Sequence, residues 1–220
     1  MSIAKTFKKE NTKKDIRISK THNATDAIGV LEKNMDIFVL TYGQFSLIDS
    51  LIAILDQTGP ADVVISSWTA ADAHLERSAQ LIESADIRSF RMIVDRSFKT
   101  RQPKYYYHMI KLFGHECIRS IRTHAKFMVI KNDEWNIVVR TSMNLNENPR
   151  LENIEISESK EFTDFFLKVT DDLFNEVKPE ENKSQMLDLD SVPELKSYKL
   201  IEADHIKRSS LNVPRTTHSV

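Results

Sequence analysis

Asp36-Ile37-Phe38-Val39-Leu40-Thr41-Tyr42, then Leu47 to Gln57, then Asp62-Val63-Val64-Ile65-Ser66 form the stretch that decides the fold. The first segment is a short, β-branched, nearly continuous apolar run, as expected for a strand covered on both faces. The second spaces Leu47, Leu51, Ile52, Ile54 and Leu55 at helical intervals and stops at Gly59-Pro60. The third repeats the first. Strand, helix, strand at this spacing predicts an α/β protein.

The pattern continues outward. Ala70 to Ser84 reads as an amphipathic helix, Phe90-Arg91-Met92-Ile93-Val94 as a strand, and Pro103 to Phe113 as a helix ended by Gly114. After Gly114, Cys117 to Ile130 and Asn136 to Arg140 read as two strands joined by the polar turn Lys131-Asn132-Asp133-Glu134-Trp135, a hairpin that makes the sheet mixed. Ile154-Glu155-Ile156 reads as one more short strand. Phe162 to Val177 carries an apolar stripe of helical period. The expected fold is therefore a mixed, largely parallel β-sheet sandwiched by helices. Residues 1–25 read as a flexible basic arm, 26–178 as the globular domain, and 179–220 as an acidic and polar tail with at most a short helix near Leu195–Ile206, a possible contact for a protein partner.

Composition narrows the function classes. Of 220 residues, 40% are hydrophobic and 29% charged, enough for a real core. No apolar run reaches the roughly 18 residues of a membrane span. The N-terminal MSIAKTFKKENTKKD has no apolar segment behind its basic residues, so it does not read as a secretory signal. A single cysteine, Cys117, excludes an internal disulfide framework and a thiolate zinc cluster, and points to the cytoplasm. Four glycines with no clustered pattern exclude a P-loop or dinucleotide fingerprint.

Net charge is −1, but charge is segregated along the chain. Residues 1–20 carry +5, residues 88–140 carry +8, and residues 141–205 carry −9. A basic central third in a near-neutral chain suggests a face for an anion, phosphate first.

The chemistry-bearing stretch is Thr123-His124-Ala125-Lys126, followed by Thr141-Ser142-Met143-Asn144 and by Asn153-Ile154-Glu155. On a strand, residues i and i+2 share a face, which would set His124 beside Lys126 and Ser142 beside Asn144. An imidazole next to an ammonium suits phosphoryl transfer. The lysine and asparagine hold phosphate oxygens while the imidazole attacks phosphorus or protonates a leaving oxygen. Glu155 would orient a histidine ring, and Arg119 and Arg122 would either line a phosphate track or sit on a solvated face.

His124-x-Lys126, Thr141-Ser142-x-Asn144 and Asn153-x-Glu155 resemble, in order and separation, the motifs of the phospholipase D superfamily, over roughly residues 30 to 178. The family's aspartate falls near Lys131 here, with Asp133 two positions on, and its glycine before the serine is Thr141. The resemblance implies a metal-independent phosphodiesterase working through a phosphohistidine, with no cofactor. His124, Lys126, Ser142, Asn144 and Glu155 are its expected catalytic residues, and Asn153, Arg119, Arg122 and Arg140 its expected substrate contacts. The expected substrate is nucleic acid, DNA ahead of RNA, cut as by an endonuclease. The alternatives are a nucleic-acid-binding protein with a degenerate site and, behind it, a phospholipid hydrolase. Such chemistry needs two histidines and the chain holds one H-x-K, so a homodimer sharing one composite site is expected.

Other features read as structural. His22, His74, His108, His115 and His205 lack metal-ligand spacing. Trp68 and Trp135 read as packing residues. Tyr105-Tyr106-Tyr107, beside Arg101 and Lys104, reads as core plus rim, with base stacking the alternative.

Overall fold

The computed structural model describes residues 13–68, 72–145 and 149–179. Residues 1–12 of the expected arm and residues 180–220 of the expected tail lie outside the described residues, as does the helix expected near 195–206.

In chain order the elements are β1 (Lys13–Ile18), α1 (Ala24–Ile28), β2 (Met35–Thr41), α2 (Leu47–Thr58), β3 (Ala61–Ser67), α3 (Asp72–Glu83), β4 (Ile87–Asp95), α4 (Ser97–Arg101), α5 (Pro103–Phe113), β5 (Ile118–Ile121), β6 (Phe127–Lys131), β7 (Asn136–Thr141), β8 (Glu152–Glu158) and α6 (Lys160–Glu176). Local chemistry fixes their ends. Ser46 and Asp49 form a reciprocal capping box that starts α2, and Gly59, at φ 74°, stops it. Pro103 opens α5. The Ser159 hydroxyl accepts the Phe162 amide to start α6.

The strands form one sheet in the order β1-β2-β8-β7-β6-β3-β4-β5. Only β1·β2, β3·β4 and β4·β5 are parallel. The pairs β2·β8, β8·β7, β7·β6 and β6·β3 are antiparallel. The expected largely parallel sheet is thus corrected: three antiparallel strands from later in the chain, β6, β7 and β8, insert between β2 and β3. The βα repeats of the first half suggest a continuous parallel sheet, but sequence order does not reveal where a later hairpin inserts.

Alternation along the strands separates two cores. Val63, Ile65, Met92, Val94, Met128 and Ile130 pack with α2, α3 and α5 on one face. Val64, Ile93, Phe127 and Val129 meet Leu173 and Phe166 of α6 on the other.

Two further differences matter. Lys13–Ile18, expected within the arm, is an edge strand parallel to β2, with Ile16 and Ile18 exposed. Its alternation is weak, exposed residues against the half-buried Asp15 and Arg17, because it is paired on one side only. The expected single strand over 117–130 is two strands on opposite sides of β3·β4, so residues 122–126 bridge the ends of β4 and β3. Crossing three strand spacings takes about 14 Å. The six Cα–Cα steps from Ile121 to Phe127 could reach about 20 Å. The bridge therefore has length to spare, and hydrogen bonds rather than tension set its path.

Candidate active site

The bridge is pinned at each strand end that it passes. Asp95, the last residue of β4, accepts the Thr123 amide at 3.0 Å. Ser66, near the end of β3, donates its hydroxyl to the Ala125 carbonyl at 2.8 Å. The Thr123 hydroxyl accepts the Ala125 amide at 3.1 Å, tightening the turn between the two pins. His124 lies between them, exposed, where parallel strands end and antiparallel ones begin. Ligand sites in open α/β sheets favour such a switch point, beyond the carboxyl ends of parallel strands.

Burial opposes the charge of Asp95. Hydrogen bonds from the Ser97 hydroxyl and amide and from the Thr123 amide, with the Arg101 charge, outweigh it and hold the carboxyl below its ordinary 3.8. The pin is an ionised one.

Lys126 Nζ sits 3.4 Å from His124 Nδ1 and 3.4 Å from the His124 carbonyl. The expected adjacency thus holds, although the two residues lie on the bridge and not within a strand. When Nδ1 accepts from the ammonium, Nε2 carries the ring proton. Burial lowers the Lys126 pKa below its ordinary 10.5, and the charge of Glu152 partly restores it. The ammonium is therefore poorly hydrated and poised for an anion.

Ser142 donates its hydroxyl to Glu152, a buried carboxylate, and accepts the Asn153 amide at 3.0 Å. The Thr141 hydroxyl donates to the Asn153 carbonyl at 2.6 Å, a contact that the family's glycine would not make. Glu152 was missed by sequence reading because the motif match ended on Glu155. Its signal was position, since it begins β8 opposite Thr41 and so reaches the sheet end where the bridge lies.

An open cleft of about 400 Å³ is lined by Lys126, Arg140, Ser142, Asn153 and Glu155, among others. Five of the expected residues therefore share one cavity, and His124 joins it through Lys126. The remaining expectations fare differently. Glu155 pairs with Arg140 at 2.9 Å, and Arg140 also covers the Phe162 ring. Glu155 is thus matched to a cation and not to an imidazole. Asn144 gives its carbonyl to the Leu47 amide at 3.4 Å, and its side-chain oxygen is buried without a hydrogen-bond partner. Arg119 is 7% exposed, and its guanidinium donates to the carbonyls of Glu116, Ile118 and Phe174. It caps the end of α6, so no phosphate track runs over it. Arg122 is exposed at the start of the bridge.

The central cations are not one face. Arg91 and Lys131 meet Asp171 and Asp164 of α6, as Arg140 meets Glu155. Lys131, at the family's aspartate position, lies at the far end of β6 and serves this pairing. Tyr106 is core, with its hydroxyl pKa pushed up to about 12 by burial and by Tyr107, while Tyr107 is rim. Trp68, expected to pack, instead faces His124 with ring centres 5.6 Å apart. A larger cleft of about 640 Å³ borders His22 and α2, but its ion pair, Arg77–Asp49, also serves the helix cap. Among the described residues no three His, Cys, Asp or Glu side chains gather to hold a metal ion. No described helix is long and apolar enough to cross a membrane.

Two solved structures share this architecture in part. One is a phospholipase D family member, Nuc from Salmonella typhimurium, at 16% identity and a TM-score of 0.40, over 58% of this chain and 88% of that one. The other is polyphosphate kinase from Porphyromonas gingivalis, at 12% identity and a TM-score of 0.46, over 66% of this chain and 27% of that one. This chain spans about a quarter of that kinase. No family model and no curated protein matches the sequence.

Proposed function

We propose that the chain is a metal-independent phosphodiesterase that cuts nucleic acid through a phosphohistidine, with one composite site per homodimer. The observation that carries this reading is the contact of Lys126 Nζ with His124 Nδ1 at the rim of a cleft holding Ser142 and, behind it, Glu152.

A diester oxygen entering the cleft competes for the under-hydrated Lys126 ammonium and draws it away from Nδ1. Nδ1 then takes the ring proton and Nε2 becomes the nucleophile. The N–P bond forms as the P–O bond breaks, and the leaving oxygen takes a proton from His124 of the partner subunit. That second ring then removes a proton from water, whose oxygen attacks phosphorus and breaks the P–N bond. Lys126 stabilises charge on the phosphoryl oxygens, and the Ser142 hydroxyl adds a donor once it turns from Glu152 to one of them. Glu152 compensates the lysine and aims the serine. Asn153 and Arg122 are outer contacts in this scheme, and Asn144 supports the loop that carries Ser142.

The test is incubation of the purified protein with plasmid, single-stranded DNA, RNA and phospholipid vesicles, all in excess EDTA. Cleavage of a nucleic acid that persists in EDTA and is lost in His124→Asn supports the reading. Cleavage abolished by EDTA, or retained by His124→Asn, overturns it. Nucleic-acid binding without cleavage supports the degenerate binding protein, and vesicle hydrolysis alone the lipid enzyme.

A further inference from the structure

Beside His124 the structure holds a cation–π assembly that the proposed reaction does not use. The Arg101 guanidinium lies over the Trp68 ring, 3.8 Å from its centroid. Two donors fix it there: Nε to the Ser97 hydroxyl at 3.0 Å, and Nη2 to the Trp68 carbonyl at 3.1 Å. The Ser97 hydroxyl is itself turned toward Asp95, the residue that pins the bridge. Arg101 is exposed and Trp68 half-buried. A surface arginine serving only solubility would have no reason to lie doubly tethered over an indole. Ordering such a side chain costs conformational entropy.

We infer that Trp68 and Arg101 form a stacking subsite for an unpaired nucleobase next to the phosphate presented to His124, so that the substrate is a single-stranded or locally opened strand. The inference rests on the nucleic-acid reading above and adds the state of the strand. Unpaired bases stack on aromatic rings and on guanidinium planes, and tolerate any sequence because every base offers a π-face. A paired base keeps its faces inside the duplex. The position is right for a neighbour of the scissile phosphate, since Trp68 also touches the imidazole, with centroids 5.6 Å apart. Tyr105-Tyr106-Tyr107 does not serve this purpose, because Tyr106 is buried against Phe98.

The subsite is tested by tryptophan fluorescence in the full chain carrying Trp135→Phe, which leaves Trp68 as reporter, and His124→Asn, so that no strand is cut during titration. The probes are ten-residue oligothymidylate, oligouridylate, an abasic oligodeoxynucleotide of equal length, and a ten-base-pair duplex. Either single strand should quench Trp68 at saturation at least threefold more than the abasic strand or the duplex, the two arms separating DNA from RNA. Trp68→Ala should weaken oligothymidylate binding by fluorescence anisotropy about tenfold, and abasic binding less than twofold. Arg101→Lys, which keeps the charge and loses the plane, should weaken the base-bearing strand alone. Trp68→Phe, the milder truncation, should fall between wild type and alanine. Equal quenching by abasic and base-bearing strands, or equal weakening of both by Arg101→Lys, would overturn the inference. Cleavage dependent on His124 without base-selective quenching would leave the phosphodiesterase standing and remove the subsite. Base-selective quenching by a chain that cuts nothing would do the reverse.

Discussion

The Asp95 carboxylate holds the Thr123 amide at 3.0 Å, one residue before His124, and through Ser97 it also steadies Arg101. One buried acid thereby places both the imidazole and the plane beside it. The folded-state pKa of Asp95 is depressed, so its stabilising contribution is present above the ordinary carboxylate value of 3.8 and is lost as pH falls through the folded value. Asp95→Asn removes that charge and should cost about 1–3 kcal/mol in urea unfolding at pH 7. The difference from wild type should shrink below pH 3.8. A constant difference down to the acid transition would show that the charge has no part in it.

Lys126 gives the alkaline side. Its pKa is lowered by burial, so the ammonium is lost at a pH below the ordinary 10.5. Phosphodiester cleavage should therefore decline as pH rises, with the midpoint of that alkaline limb below 10.5, and Lys126→Arg should move the limb upward while lowering the plateau. Sign and stability agree: the cost of holding a charged lysine there is relieved as pH rises through the folded pKa, so Lys126→Met should not destabilise the fold at pH 7.

Two glutamates can be told apart. Glu152→Gln takes a buried charge from behind Ser142 and Lys126 and should reduce kcat by about 10²-fold, in the range of a lost electrostatic donor. Glu155→Gln breaks a half-exposed pair with Arg140 and should change stability by less than about 1 kcal/mol and kcat by less than about threefold. The opposite ranking of the two rates would restore Glu155 to the site.

Salt dependence should be gentler than the charge map suggests. Counting the +8 segment and the basic arm as about six phosphate contacts implies a roughly 10³-fold loss of affinity over a fourfold rise in salt. With Arg91, Lys131 and Arg140 paired to acids and Arg119 buried, about four contacts on a single strand imply only about 50-fold. Anisotropy titrations at 50 and 200 mM salt separate the two slopes.

The composite site has a stoichiometric signature. Sedimentation should give about twice 25.4 kDa. Mixed dimers of wild-type and His124→Asn chains should be nearly inactive, because each site of the proposed dimer takes one histidine from each subunit. Half-activity in the mixture would place a complete site in every chain.

Much of the fold was legible because burial writes itself into residue order. The apolar run at 36–42 became β2, the spacing at 47–57 became α2 with its serine cap, and the stripe at 162–177 became α6. What stayed hidden lacks such a record. Lys13–Ile18 pairs through its backbone and buries little, so nothing in its side chains announces a strand. The break between β5 and β6 has neither glycine nor proline to mark it. In the site, His124 with Lys126 could be read from a two-residue spacing. Glu152 and Trp68 could not: no motif marks Glu152 beside Ser142, and Trp68 meets Arg101 of α4 and His124 of the bridge only in the folded chain.

The pinned bridge sets a rule for insertions. The turn at 132–135 is closed by its own hydrogen bonds, among them the Asn132 amide to the Trp135 carbonyl at 3.0 Å, so added length there bulges outward and leaves the strands in register. Between Ile121 and Phe127 the path is set by two pins, Asp95 on the Thr123 amide and Ser66 on the Ala125 carbonyl, with a tight turn between them. The pins act as a clamp, and the imidazole sits where it does because one anchor stands on either side of it. A single glycine inserted between the pins would keep every side chain named above and still free the imidazole that the proposed chemistry uses.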